Sequence, residues 1–402
     1  MKILEGIRVI DWSVFHVGPS SGVKLGELGA EVIKVEEPGV GELSRGVESL
    51  YGVPTQLPSG RNWFFEFLNY NKKGLTVDIK TEKGREIIYR LVEKSDVFIT
   101  NYRQQAAVRL GMDYETLRRY NPRLIYASSS CLGTEGPDGS SPGLEVIAQA
   151  RSGLMSVPGE EGMPPQMLHS SVCDQTGSLM LTLGVLGALL ARERLGVGQE
   201  VTTSQLGGAM LLQCFNVMCQ LLAGQPIPRE VRTEAKNPLY NYYRCRDGRW
   251  VVLGMLQDRY WAPFCRALDR PDLLADPRFD TLAHREEHNR ELVAILDEAF
   301  ATRDSGEWEG PFREHDLLFG VVNDMQQTIA DPQVVANNLL APVDHPVLGR
   351  TPWQLLPINF SQTPVSFSLP APELGQHTEE VLTEVCGYSW EEAAQLRDEG
   401  II

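Results

Sequence analysis

Within SSVCDQTGSLMLTLGVLGALLAR, residues 170–192, Asp174 is the only charged side chain before Arg192. A lone carboxylate ahead of an apolar run has two uses. It can cap a helix by accepting backbone N–H groups of the first turn. It can also attack an activated acyl group and form a covalent mixed anhydride. Residue type and position leave both open. Other chemistries are easier to set aside. The seven cysteines, at 131, 173, 214, 219, 245, 265 and 386, include no CxxC pair, and the seven histidines show no HExxH spacing. No metal site is expected from them. There is no GxxxxGK[ST] phosphate loop and no GxSxG elbow. A dinucleotide site would need GxGxxG after the first strand, and the chain has WSVFHVGPSSG there instead. Phe15, His16 and Val17 stand where backbone should approach a pyrophosphate, and only Glu36 mimics the ribose-binding acid. Basic residues gather as Lys72 with Lys73, Arg103 with Arg109, and Arg118 with Arg119. Each pair reads either as a solvated face or as an anion contact.

Strands and helices must position these groups. GIRVIDWS (6–13) and EVIKVEEP (31–38) read as strands, with a helix over 19–30 between them that starts at Pro19. That is a right-handed parallel crossover. GLTVDIK (74–80), DVFITN (96–101) and RLIYASSS (123–130) are further strands, with an amphipathic helix over 81–95 capped by Thr81. This alternation predicts a doubly wound α/β sheet in the first half. A helix over 178–195 follows, then a short strand and a second long helix ending near Gly224. Residues 224–238 read as a linker, and 241–255 as a hairpin turning at Asp247-Gly248. Helices fill the stretch to about 335. Two short helices, with Thr378 as a cap, close the sequence. The reading is a large domain over 1–224, completed by the tail 340–402, and a small α+β domain with linkers over 225–339.

Composition narrows the class. The chain has 402 residues, 42% hydrophobic and 22% charged, with formal net charge −16. It is long enough for two domains, and its charge repels nucleic acid and anionic membranes at long range. The opening MKILEGIRVIDW has no signal pattern. The apolar run 179–191 is shorter than the ~20 residues a membrane span needs, so a buried helix is expected. The scattered, odd-numbered cysteines read as reduced thiols in a cytoplasm.

The opening LEGIRVIDWSVFHVGPSSGVKLGELGAEVIKVEEPGVGELSR resembles the class III CoA-transferases of the CaiB/BaiF type, the formyl-CoA and carnitine CoA-transferase group. So do NKKGLTVDIKTEKGREIIYRLVEKSDVFITNY, RLGMDYETLRRYNPRLIYASSSCLGTEGP and VCDQTGSLMLTLGVLGALLARERLGVGQEV. The second half agrees through YRCRDGRWVVLG, DPRFDTLAHREEHN, PVDHPVLG and APELGQHTEEVL. These blocks stand in family order over nearly the whole chain.

The resemblance implies a Rossmann-like large domain with a parallel sheet, a smaller α+β domain, and an interlocked homodimer, a heteromer being the alternative. It implies transfer of CoA from an acyl-CoA to a small carboxylic acid, with coenzyme A and acyl-CoA as substrates and no permanently bound cofactor. Asp174 aligns with the family nucleophile, passing through mixed anhydrides and an aspartyl-CoA thioester. Gly18, in the first turn, is placed to offer a backbone donor, and His16 stands where the formyl-CoA enzyme has a glutamine. CoA contacts are implied at Arg45, Lys72, Lys73, Asn101, Tyr102 and Arg109. Some features depart from the family. EVRTEAKNPLYNYY lacks the GGG run of the family's covering loop, and TNYRQQ replaces ENFRPG. In PGLEVIA, Leu144 stands where the family's racemases carry a histidine, which speaks against racemisation. Glu145 beside it reads as structural. Intramolecular CoA transfer, a non-catalytic subunit and a CoA-binding role are the remaining readings.

Overall fold

A computed structural model describes residues 2–402 as two compact units. The larger is made of the chain up to Ser156, Met167–Gln225 and Asn338–Ile402, and the smaller of Val157–Gln166 and Pro226–Asn337. The strip 157–166 therefore goes with the smaller unit, which chain order alone does not show.

The larger unit is built on a six-stranded parallel sheet: β1 (Arg8–Trp12), β2 (Glu31–Glu36), β3 (Lys72–Thr76), β4 (Val97–Thr100), β5 (Ile125–Ser130) and β6 (Gln199–Ser204). Its order is β3-β2-β1-β4-β5-β6. The chain runs outward from β1 to one edge, returns, and runs from β4 to the other. The reversal lies between β1 and β4, where open sheets of this kind bind ligands beyond their carboxyl ends. Period-two alternation sorts the strand residues onto two faces. Ile10, Ile33, Phe98 and Tyr126 pack with Ile87, Ile88 and Leu91 of the helix Glu82–Glu93 and with Val381, Leu382 and Leu396 of the tail. Val9, Val32, Val97 and Ile125 pack with Leu25 of α1 (Val17–Glu27) and with Leu181, Val185 and Leu189 of the helix Val172–Leu195.

Several elements differ from the sequence reading. β3 starts two residues early, because Lys72 is drawn into the core by Asp11. The helix expected over 178–195 starts at Val172 and has 24 residues. By length and composition it could cross a membrane, but half of its most apolar window is buried within the fold. The expected second long helix is two, Gln205–Leu212 and Cys214–Ala223, bent by 76°. Thr378 is not a cap: its hydroxyl accepts the Thr76 N–H at 3.0 Å and so ties the tail to β3.

The smaller unit holds a three-stranded antiparallel sheet of Tyr242–Arg244, Trp250–Leu253 and Phe319–Val321. Its helices enclose an aromatic core of Tyr243, Phe264, Phe300, Trp308 and Phe312.

Candidate active site

The turn after β1 is tightly specified. Phe15 adopts φ +56, in the left-handed region that a bulky residue rarely enters. Its N–H donates to Glu42 Oε2 at 3.0 Å. A Cβ on Gly18 would fall 2.4 Å from Ser13 Cβ and Oγ, so only glycine lets α1 begin this close to the strand. Across the sheet reversal, the Asn101 carboxamide accepts the Val14 N–H at 2.9 Å and donates to the Val14 carbonyl at 2.7 Å. The outcome is a fixed, buried His16 between Phe64 and Phe67, with ring centroids 6.2 and 5.6 Å away.

Asp174 reaches the same place from the first turn of Val172–Leu195. It does not cap that helix; Ser171 holds the N-cap position. The capping work falls to Glu145, the first residue of the helix Glu145–Arg151. Its Oε1 accepts the Cys173 N–H at 3.0 Å and its Oε2 the Asp174 N–H at 2.7 Å, satisfying two donors a helix start leaves open. Gln149 holds Glu145 in turn, donating to Oε1 at 2.8 Å. The Asp174 carboxylate is thereby left for other uses.

Its two oxygens meet different surroundings. Oδ1 accepts a short hydrogen bond from Gln205 Nε2. Oδ2 lies 3.6 Å from His16 Nδ1, a buried nitrogen with no hydrogen-bond partner. The Asp174 side chain is 17% exposed. Burial, and then the charge of Glu145, push its carboxyl up to about 7, against the Gln205 hydrogen bond. Burial and the nearby Lys24 hold His16 down at about 3. The two groups stand at ion-pair distance, yet at neutral pH the imidazole is uncharged, so the contact is dipolar. Lys24 is itself buried, which pulls it down to about 8, and its ammonium donates to Ser20 Oγ (2.7 Å), Ser178 Oγ (3.0 Å) and Gln175 Oε1 (3.1 Å). The neighbouring thiols are no rivals to the carboxylate: burial first, then nearby carboxylates, push Cys131 up to about 11 and Cys173 up to about 12.

Of the residues singled out in the sequence, Asp174 and His16 meet, and Gly18 shares the turn. Asn101 clamps that turn. Tyr102 stacks on Trp12 at 4.3 Å beside it. Arg109 is exposed on the helix Gln104–Leu110. Arg45 grips Glu36 through two hydrogen bonds of 2.7 and 2.8 Å and lies over the Phe65 ring. The two lysines are elsewhere. Lys72 has no exposed side-chain surface; its ammonium meets Asp11 (2.7 Å), Pro19 O (2.8 Å), Leu68 O (2.8 Å) and Asn69 Oδ1 (2.9 Å). It has nothing to offer a phosphate. Lys73 pairs with Glu31, the first residue of β2, and with Glu380. It is therefore directed to the amino end of the sheet, away from Asp174. Sequence reading missed Gln205 and Lys24 and gave Glu145 no role in the site. No spacing pattern marks them, since Glu145 and Gln205 lie 29 and 31 residues from Asp174. Among the described residues no group of three or more His, Cys, Asp or Glu could hold a metal ion.

Known proteins resemble this chain over nearly its whole length. The sequence profile of CoA-transferase family III matches residues 4–378. The (R)-2-hydroxy-4-methylpentanoate CoA-transferase of Clostridioides difficile is 31% identical over 403 residues, covering 100% of this chain and 99% of the relative. The succinyl-CoA:glutarate CoA-transferase of Homo sapiens is 30% identical over 404 residues, covering 100% of this chain and 90% of the relative. Among solved structures, a CaiB/BaiF family protein from Brucella suis superposes with a TM-score of 0.85 at 27% identity, over 95% of this chain and 99% of that one.

Proposed function

The chain belongs to CoA-transferase family III, a family of enzymes acting on CoA thioesters, and on that premise we propose that Asp174 carries CoA between two carboxylic acids. The observation that carries this reading is the carboxylate itself: half-neutralised at pH 7 by burial, held through one oxygen, and free at the other. A carboxylate whose proton affinity is raised is a better nucleophile than an ordinary surface aspartate. In this reading Oδ2 attacks the acyl carbon of the donor thioester, and CoA leaves as thiolate. A mixed anhydride of Asp174 and the donor acid results. The thiolate then attacks the Asp174 Cγ and expels the donor acid, leaving an aspartyl-CoA thioester. The acceptor carboxylate attacks the same carbon, forming a second anhydride and freeing thiolate, which takes the acceptor acyl group and restores Asp174. Gly18, Arg45, Asn101 and Tyr102 follow the carboxyl ends of β1, β2 and β4 and are the CoA-facing candidates, with Arg109 further on, in the helix Gln104–Leu110. Lys72 and Lys73 drop out.

Acid–base racemisation is disfavoured by two features. Leu144 cannot carry a proton, and His16, held near 3, takes none at neutral pH. Intramolecular CoA transfer would use the same carboxylate and differs only in where the acceptor acid comes from.

The test is intact-protein mass spectrometry after mixing with single acyl-CoAs (succinyl, acetyl, formyl, aromatic). An adduct mapped to Asp174 with one of them supports the route and names the donor; none with any donor sinks it. The pH profile supplies a second check. The reactive form is the carboxylate, so transfer should rise as pH climbs through about 7 and fall about tenfold per unit below it. A profile with an ordinary carboxylate limb near 4 contradicts the assignment.

We also assign a homodimer. Leu183, Leu190 and Leu195 of one helix, and Phe215, Leu221 and Leu222 of Cys214–Ala223, are 58–83% exposed. That much large apolar surface on two helices fits cover by a second copy. Light scattering should give twice the chain mass, and a monomer contradicts the assignment.

A further inference from the structure

Gln205 is the first residue of the helix Gln205–Leu212, directly after β6, and is buried. Its position is set from several sides. The Ser204 hydroxyl caps this helix by accepting the Gly207 N–H at 3.0 Å, and the Leu206 N–H donates to the Cys131 carbonyl at 2.9 Å. Gly208 lets the helix approach the Asp174 turn: a Cβ there would fall 3.1 Å from Thr176 Cγ2 and 3.3 Å from the Gly177 nitrogen. The Gln205 carboxamide donates to the Asp174 carboxylate at Oδ1.

We infer that Gln205 is a catalytic residue, donating its amide N–H to the oxyanion that forms on Asp174 Oδ1 when a nucleophile adds to the Asp174 Cγ. This rests on the aspartyl route proposed above. With Oδ1 held by Gln205, Oδ2 makes the bond to the substrate acyl carbon. Oδ1 then becomes the carbonyl oxygen of the anhydride, and later of the aspartyl-CoA thioester. Two of the four additions take place at Cγ: thiolate onto the first anhydride, and acceptor carboxylate onto the thioester. In each, the new bond forms at Cγ and the carbonyl π pair moves onto Oδ1. On collapse that pair returns, and the bond to the donor carboxylate or to the CoA sulfur breaks, the leaving group keeping its electrons. The Gln205 N–H already faces Oδ1 before charge appears there, which is the condition for a donor that need not reorganise. A carboxamide is also neutral at every working pH, so the donor is never lost to titration. The other two additions put their charge on the substrate's acyl oxygen, beyond Gln205's role. The inference is therefore selective: Gln205 serves the steps centred on the enzyme's own carbon.

The experiment mixes wild type, Gln205→Leu and the isosteric Gln205→Glu with a single acyl-CoA and follows intact mass against time. Thermal melting confirms that each variant is folded. Wild type should pass quickly to the aspartyl-CoA adduct. Both variants should accumulate the acyl adduct, and convert it to the CoA adduct about a hundredfold or more slowly, the usual effect of losing one oxyanion donor. Equal slowing of both adducts, or conversion at the wild-type rate, overturns the role of Gln205 and leaves the transferase route intact. No adduct in wild type with any acyl-CoA removes both.

Discussion

Asp174→Ala is expected to abolish CoA transfer, leaving about a ten-thousandth of the activity or less, because the one carboxylate beside it, Glu145, is held by the Cys173 and Asp174 N–H groups and by Gln149. Cys131 and Cys173 stay protonated thiols, and His16 remains neutral but carries no acyl group forward. The same variant has a second expected property, which separates lost chemistry from lost folding. Asp174 has its carboxyl raised from 3.8 to about 7 in the fold. For such a group the folded state binds the proton more tightly than the unfolded chain. The stability it contributes is complete below about 4 and is lost as pH rises through about 7. Ionising it above 7 therefore strains the structure. Asp174→Ala removes that strain, so it should melt higher than wild type at pH 8.5 while being inactive. A variant that is inactive and also melts lower at pH 8.5 would point to a structural role. One that keeps full transfer would remove the nucleophile.

Lys72→Met should cost about 3–5 kcal/mol of stability, the range seen when one partner of a buried ion pair is deleted. It should leave the KM for acyl-CoA unchanged in the protein that still folds. Asp11, Lys34 and Lys72 have fully buried side chains, with Lys72 2.7 Å and Lys34 3.7 Å from Asp11. Without Lys72, the Asp11 carboxylate keeps the more distant lysine and the Ser13 hydroxyl. Chemical denaturation measures the loss. Adding Asp11→Asn to the variant should recover part of it, since the stranded charge goes too. A tenfold rise in KM with unchanged stability would instead return Lys72 to the CoA phosphates.

The contrast between Lys72 and Asp174 shows what a sequence reveals. Most strands of the large sheet were readable because a strand covered on both faces is a short apolar run between breakers; the edge strand β6, QEVTTS, is polar and exposed at alternate positions. Their ends were less so. β3 begins with two lysines that resemble a surface turn, and what buries Lys72 is an aspartate 61 residues earlier. The helix bearing Asp174 begins six residues before its apolar pattern, because its first turn, VCDQT, serves the site more than the core. Asp174 itself was legible only through family resemblance. Taken alone it is a plausible helix cap, and the structure gives that work to Glu145. Gln205 and Glu145 could not be found from spacing, since each meets Asp174 through tertiary packing and not along one helix face.

The tail anchored at Thr76 has a consequence for synthesis. Thr378 bonds a strand residue 302 positions earlier, and Val381, Leu382 and Leu396 share one face of the large sheet with the helix Glu82–Glu93. While the ribosome is still making the middle of the chain, that face, with Ile10, Ile33 and Phe98, has the helix Glu82–Glu93 but lacks the tail's share of its cover. The smaller unit has all its residues before the larger one does and is free to fold first. The growing chain thus carries a partly open apolar face for most of its translation, a period when aggregation competes with folding.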